Sequence, residues 1–248
     1  AFLGETRVID VERRQELLRA ALSRRTTDVH LLMTLAATSA YPAYHPKRLA
    51  DQMRWLQAAL AAAPGNVSAH IDLGAALAVN NNPDEAISYL KKAIELDPRF
   101  ALAHNNLGAA LRAKGDLDGA IAAYRRATEL DPRSALIQVN LGVALESRRD
   151  LDEAIAAYQR ALALNPRMSE AHYNLGNVLQ DIGELAPSAA SFRRALEIRP
   201  GYLDAHINLG HVLGELGQSD AAIASFRRAL EIDPDFLDAR SNLLLASC

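Results

Sequence analysis

The sequence predicts an all-α protein in which pairs of helices stack into a solenoid. The first observation is a pattern that returns every 34 residues, marked by a Leu-Gly dipeptide, an alanine and a proline. The second is a composition of 50% hydrophobic but only 5% aromatic residues, which favours helices over sheets. A fixed period between about 20 and 50 residues is typical of solenoids. The Leu-Gly dipeptides lie at Leu73-Gly74, Leu107-Gly108, Leu141-Gly142, Leu175-Gly176 and Leu209-Gly210.

The first helix of each period has a predicted buried stripe at positions 4, 7, 8 and 11, counting from Val67. These positions fall within roughly 100° of arc. Position 8 is always glycine, which costs about 1 kcal/mol relative to alanine inside a helix. We therefore expect the partner helix to approach too closely for a Cβ atom. At position 15, residues that suit a left-handed helix end recur, and Arg149 is the exception that we expect to be strained.

The second helix of each period begins after an acidic or amide residue, such as Asp116. Small alanines on its apolar stripe let the helices approach, and one larger residue fills the space between layers. The proline that follows ends the helix, because the residue before a proline is pushed out of the α region. The larger residue is aromatic at Tyr124, Tyr158, Phe192 and Phe226.

Leu-Gly, the small Ala120, the aromatic Tyr124, Ala127 and Pro132 together resemble the defining positions of the tetratricopeptide repeat family. The tryptophan usual at position 4 is replaced by histidine, or by Gln138 in one repeat. The resemblance implies a right-handed α–α superhelix of antiparallel helix pairs, in which the first helices line a concave, peptide-binding groove. It covers five regular repeats, 67–100, 101–134, 135–168, 169–202 and 203–236.

The segments on either side of these repeats are predicted to be helical but irregular. Residues 1–66 are interpreted as a half repeat followed by a divergent repeat. Three helices are predicted there: one over 10–25, one from an N-cap at Asp28 to about Ala40, and one over 47–63. Residues 41–46 form a turn because they contain two prolines. Residues 237–248 begin a further first helix, and its uncapped Leu243–Leu245 end is a candidate patch for self-association.

Composition argues against several classes of function. The net charge is −3 without a basic block, so we expect no nucleic acid partner, and no apolar run is long enough for a membrane span. The single Cys248 allows no internal disulfide, which fits a reducing, cytoplasmic location.

We find no phosphate-binding loop, nucleophile elbow or paired catalytic carboxylates, and hence predict no enzyme and no cofactor. The position-4 histidines are expected to be packed core residues and not metal ligands, since neighbouring helices lie about 10 Å apart.

The strongest candidates for a binding site are the residues at position 6, about 150° from the buried stripe. Packing does not require asparagine there, and its amide can both donate to and accept from the main chain of a peptide. Alternatively, these amides form hydrogen bonds to a neighbouring helix or only keep the groove hydrated. Residues around them are polar with little net charge, and the absence of lysine at position 5 argues against a clamp for acidic C-termini. The predicted groove residues are Asp72, Asn105, Asn106, Asn140, Tyr173, Asn174, Asn177, Asn208 and His211.

These features predict an interaction scaffold that binds a peptide or protein segment in its groove. An alternative stays open. The Ala-His-x-Asn-Leu-Gly first helices are similar to the repeats of protein O-linked N-acetylglucosamine transferases and of their SPINDLY-like bacterial relatives, and 241–246 resembles the junction to their catalytic region. In that case the chain would be the substrate-recognition half of a glycosyltransferase, without the catalytic domain.

Overall fold

The computed structural model of this protein describes residues 15–16, 19–22, 27–39, 46–237 and 240. These residues form helices and turns without a β-strand, and consecutive helices pack in pairs, so the predicted all-α solenoid of helix pairs is confirmed. The helices with defined bounds are α1 (Val29–Ser39), α2 (Pro46–Ala62), α3 (Val67–Val79), α4 (Pro83–Leu96), α5 (Ala101–Lys114), α6 (Leu117–Leu130), α7 (Ala135–Ser147), α8 (Leu151–Leu164), α9 (Ser169–Asp181), α10 (Leu185–Ile198), α11 (Leu203–Glu215) and α12 (Ser219–Ile232).

The chain forms two compact units, residues 1–130 and 131–248. In the first unit, α1 packs on α2, α3 on α4 and α5 on α6, and each pair also contacts the next. In the second unit, the pairs are α7 with α8, α9 with α10 and α11 with α12, and the first helices α7, α9 and α11 lie side by side. No helix in the described ranges has both the length and the apolar character needed to cross a membrane.

The glycine at position 8 marks the closest contact within each regular pair. A Cβ atom built on Gly142 would lie 2.5 Å from Cε1 of Tyr158, whose side chain is fully buried. The corresponding distances are 2.6 Å from Gly176 to Phe192 and 2.5 Å from Gly210 to Phe226. The predicted close approach is therefore confirmed, and the partner is the large residue of the second helix, which is aromatic in every regular pair but the first, where Gly74 meets Leu90.

Each pair turns on a residue with positive φ after the first helix. Gly115, Gly183 and Gly217 have φ values of 89°, 82° and 71°, and the conformation is the same at Asn81 (58°) and Arg149 (70°). Residue 149 thus adopts a conformation that costs an L-amino acid about 1–2 kcal/mol. The strain expected at Arg149 is confirmed by this backbone angle.

The turn between successive pairs is held by a proline carbonyl. The Nε2 atom of His172 lies 3.1 Å from the carbonyl oxygen of Pro166, and His206 makes the same contact with Pro200 at 2.9 Å. In the first unit His70 and His104 bond to the prolines six residues before them in the same way. The histidines therefore fasten each first helix to the turn that precedes it.

The divergent N-terminal part agrees with its prediction where the structure describes it. Oδ1 of Asp28 accepts a hydrogen bond from the backbone N–H of Leu31 at 3.2 Å, so Asp28 caps α1 as expected. Helix α2 begins at Pro46, one residue earlier than predicted, because proline is well suited to the first helical position. The turn at 41–45, most of helix 10–25 and the Leu243–Leu245 patch lie outside the described residues.

Candidate functional site

One stripe of every regular first helix stays open to solvent. It consists of positions 2, 6, 9 and 13, whose spacing places them on a single helical face. Leu136, the position-2 residue of α7, is 57% exposed although it is apolar. We call this stripe the open face. Its residues in the second unit are Leu136, Asn140, Val143 and Ser147 on α7, Glu170, Asn174, Asn177 and Asp181 on α9, and Asp204, Asn208, His211 and Glu215 on α11.

In the first unit the open face carries Asp72 on α3 and Asn106 on α5. Asp72 is open to solvent on one side, and its burial on the other side raises the pKa of the carboxyl group. Asn105, expected to face the groove, is instead only 6% exposed, and its Nδ2 donates to Oδ1 of Asn106 at 3.1 Å. Asn105 therefore positions Asn106 and offers little surface of its own.

In the second unit the structure brings four of the predicted residues together. Nδ2 of Asn208 lies 2.9 Å from Oδ1 of Asn177 and 3.3 Å from the hydroxyl oxygen of Tyr173. Asn174 lies one helical turn before Asn177 and makes no side-chain hydrogen bond within the described ranges. The amide of Asn208 is thus held in place from α9, while that of Asn174 keeps its full hydrogen-bonding capacity for a ligand.

The remaining predicted residues lie farther along the same face. Asn140 on α7 is partly exposed at position 6 of its helix. His211 on α11 is exposed, and its ring centroid lies 5.5 Å from that of Phe226, so this imidazole stacks on the core aromatic. Both residues are on the open face.

An aromatic pair that the sequence did not single out flanks this cluster. The ring of Tyr202 lies 4.8 Å from that of Tyr173, and the guanidinium of Arg199 sits 4.6 Å over the Tyr202 ring. Arg199 also lies 3.5 Å from a carboxylate oxygen of Glu170. Burial, together with Tyr173 and the carboxylates of Glu170 and Asp204, raises the pKa of Tyr202 to about 12. Tyr202 is therefore a neutral hydroxyl at physiological pH.

A second feature missed by sequence reasoning is the pairing of position 12 with the core tyrosine. The hydroxyl of Tyr158 donates to Oε2 of Glu146 at 2.6 Å, and burial raises the pKa of this glutamate. In the first unit Arg112 is the corresponding residue, and its guanidinium partly offsets the rise that burial causes in the pKa of Tyr124. The signal was present in the sequence, because position 12 is charged only in the two repeats whose core aromatic is tyrosine.

The position-4 histidines are not the core residues that we expected. Only His70 is buried, whereas His104, His172 and His206 are half-buried at the turn, where their Nε2 atoms reach the proline carbonyls. Burial lowers the pKa of His172, which favours the neutral ring. Within the ranges that the structure describes, no three His, Cys, Asp or Glu side chains are grouped closely enough to hold a metal ion.

Paired helices on a fixed period, joined by left-handed turns, define a helical-repeat protein. Among known families, the tetratricopeptide repeat matches residues 71–135, 139–202 and 203–236, which is more than half of the chain. The chain therefore belongs to the tetratricopeptide repeat family, and the resemblance seen in the sequence is confirmed.

Solved structures agree with this family. MamA is 30% identical, with a TM-score of 0.62, over 65% of this chain and 95% of its own. YrrB is 24% identical, with a TM-score of 0.62, over 75% of this chain and 96% of its own. The pilF protein of Pseudomonas aeruginosa is 17% identical over 91% of this chain and 100% of its own, and its TM-score of 0.75 shows a shared fold alone. No curated protein matches the chain.

Proposed function

We propose that this protein is a non-catalytic interaction scaffold that binds an extended protein segment along the open face of its first helices. One observation carries the proposal: asparagine occupies position 6 of the open face in each of the three regular repeats of the second unit, as Asn140, Asn174 and Asn208. Asparagine is a mediocre helix former, and core packing does not call for it at these exposed positions. Asn174 makes no side-chain hydrogen bond within the described ranges, so stability gives no reason for its amide, and we assign the row to ligand binding.

The chemistry of an amide suits the main chain of a peptide. The amide of Asn174 offers a donor and an acceptor, which match the C=O and N–H groups of an extended segment. Asn208, whose Nδ2 donates to Asn177 and Tyr173, offers its Oδ1 to an N–H group of the segment. Neighbouring helices are about 10 Å apart, and an extended chain advances about 3.3 Å per residue. One asparagine in each repeat can thus contact every third residue of the ligand.

The packing of the site favours binding without a large entropic cost. Asn208 is already held by Asn177 and Tyr173, so little side-chain freedom is lost when a ligand arrives. YrrB, which shares the fold, is a TPR protein with an unusual peptide-binding site. For this chain, the proposal depends on its own open-face residues.

The test compares peptide binding by two double variants. A random peptide library displayed on phage is selected on the wild-type protein, and the affinities of the enriched peptides are then measured by fluorescence anisotropy. Asn140→Ala with Asn174→Ala should weaken binding by roughly tenfold, since each lost hydrogen bond contributes about 0.5–1.5 kcal/mol. Circular dichroism should show an unchanged melting temperature.

The matched control removes two exposed amides from second helices, with Gln57→Ala and Gln159→Ala. This variant should bind the selected peptides as the wild type does. Equal affinity of all three proteins, or a library that yields no binder, would refute the proposed use of the asparagine row.

A second candidate is the substrate-recognition part of a protein glycosyltransferase. It is favoured by the same asparagine row, which is similar to that of O-linked N-acetylglucosamine transferases. Sequencing the gene beyond the codon for Cys248 tests it directly. Several hundred codons for a nucleotide-sugar domain would support this candidate, and a stop codon at that point would remove it.

A further inference from the structure

The first helices of the second unit carry charge of one sign. Helices α7, α9 and α11 contain no lysine or arginine, whereas α5 in the first unit ends with Arg112 and Lys114. The first helices of this unit therefore carry net negative charge around their asparagines. The carboxylates of the three helices are Glu146, Glu170, Asp181, Asp204 and Glu215.

Three of these carboxylates occupy positions that helix stability disfavours. Glu146, Asp181 and Glu215 lie in the last turns of α7, α9 and α11, where the partial negative charge of the helix end repels an acid. Basic residues are preferred there, as in α5. Glu170 and Asp204, by contrast, lie in first turns, where the dipole favours them. Glu146 is bonded to Tyr158 and Asp181 to Arg149, so among the described residues Glu215 is the one of the three that breaks this local rule without a structural partner.

The carboxylates on α11 are available to a partner. Asp204 and Glu215 are both exposed, and neither makes an ion pair or side-chain hydrogen bond with any residue that the structure describes. On α9, Asp181 is paired with Arg149 at 2.7 Å and Glu170 with Arg199 at 3.5 Å. Uncompensated negative charge on the open face is therefore concentrated on α11, on both sides of Asn208.

The chain itself shows how this face accommodates a cation. The guanidinium of Arg199 lies over the ring of Tyr202 and beside the carboxylate of Glu170, so one cation receives both an aromatic face and a counter-charge. Within 131–237, the other arginines of the second unit lie on second helices or in loops. On α9 and α11 the open face thus carries acids and amides, with the Tyr173–Tyr202 ring pair beside them.

We infer that the segment bound by the open face of α9 and α11 is basic, with lysine or arginine side chains that pair with Asp204 and Glu215 while its main chain meets the amides of Asn174 and Asn208. The inference rests on the proposed function and adds the chemical class of the ligand. Because Asp204 lies four residues before Asn208 and Glu215 lies seven residues after it on the same stripe, the basic side chains flank the main-chain contact.

The experiment uses three labelled peptides in which serine alternates with lysine, glutamine or glutamate. Their binding to the full chain is measured by fluorescence anisotropy at low and at high salt. The lysine peptide should bind most tightly and the glutamate peptide most weakly, and the difference should shrink at high salt. Asp204→Asn with Glu215→Gln should weaken the lysine peptide by roughly tenfold and leave the glutamine peptide unchanged.

The matched control is Asp152→Asn with Asp220→Asn, which changes the net charge equally but alters the second helices α8 and α12. This control should keep the wild-type preference for lysine. Equal binding of the lysine and glutamine peptides, or an equal loss in both variants, would overturn the inference. Peptides selected from the library that need Asn140 and Asn174 but lack lysine and arginine would overturn it too, while the proposed function would stand.

Discussion

Gly142 provides the sharpest test of how the helix pairs are packed. In the middle of a helix, replacing glycine with alanine adds about 1 kcal/mol of stability if the new methyl group has room. At Gly142 the new Cβ would lie 2.5 Å from Cε1 and 2.8 Å from Cδ1 of Tyr158, a ring with no exposed surface. Overpacking of this kind costs about 1–3 kcal/mol. The two effects leave Gly142→Ala destabilised by up to about 2 kcal/mol.

The same substitution at Gly214 is the matched control. Gly214 is an exposed residue of α11, and nothing lies within 4 Å of a Cβ atom built there. Gly214→Ala should therefore stabilise the protein, by up to about 1 kcal/mol. One substitution is thus expected to have opposite signs at two sites that differ in the space available.

Thermal unfolding followed by circular dichroism measures both variants. For a chain of this size, a change of 1 kcal/mol moves the melting temperature by about 2–4 °C. Gly142→Leu, which pushes a whole side chain against the Tyr158 ring, should lie near the upper end of the overpacking cost, about 3 kcal/mol. A melting temperature of Gly142→Ala that rises as it does for Gly214→Ala would show that the ring yields freely, and the proposed reason for the glycine would be wrong.

Two other substitutions follow from the second unit. Arg149→Gly relieves a φ of 70° and should stabilise the protein by about 1 kcal/mol, since the strain of about 1–2 kcal/mol exceeds the worth of the exposed Arg149–Asp181 pair. A lower melting temperature than wild type would contradict this. Burial raises the pKa of Glu146 in the folded protein above its value in the unfolded chain. Ionised Glu146 therefore lowers the free energy of unfolding at every pH above the unfolded pKa. Glu146→Gln should therefore melt higher than wild type at neutral pH, and the gain should vanish as pH falls through the raised pKa; a gain that persists in acid would count against this cause.

The repeat architecture could be predicted because the same residue types recur at the same positions in every repeat. The period, the proline and the glycine at position 8 identify the helix pairs, and the left-handed turn at Arg149 follows from its register with Gly115 and Gly183. The bounds of α2 differ from the prediction by a single residue at each end. Local chemistry determined all of these features, so a single sequence was sufficient.

The side-chain environment of the candidate site was harder to predict. Asn105 is buried because of how α5 packs on its neighbours, which the helical period alone does not specify. The position-4 histidines bind the backbone carbonyl of the residue six positions earlier. Every residue type has such a carbonyl, so no sequence pattern identifies this partner. Tyr202 lies at the N-terminus of α11, outside the helical register that located the other residues.

The glycine at position 8 and the large side chain that it contacts always belong to the same helix pair. Gly176 meets Phe192 of its own pair, and Gly210 meets Phe226 of its own. A whole pair could therefore be added to or removed from the chain without leaving a glycine that lacks its ring. Each such change would add or remove one open-face asparagine, and with it about three residues of an extended ligand. Under the proposed function, the number of repeats would then set the length of the segment that is bound.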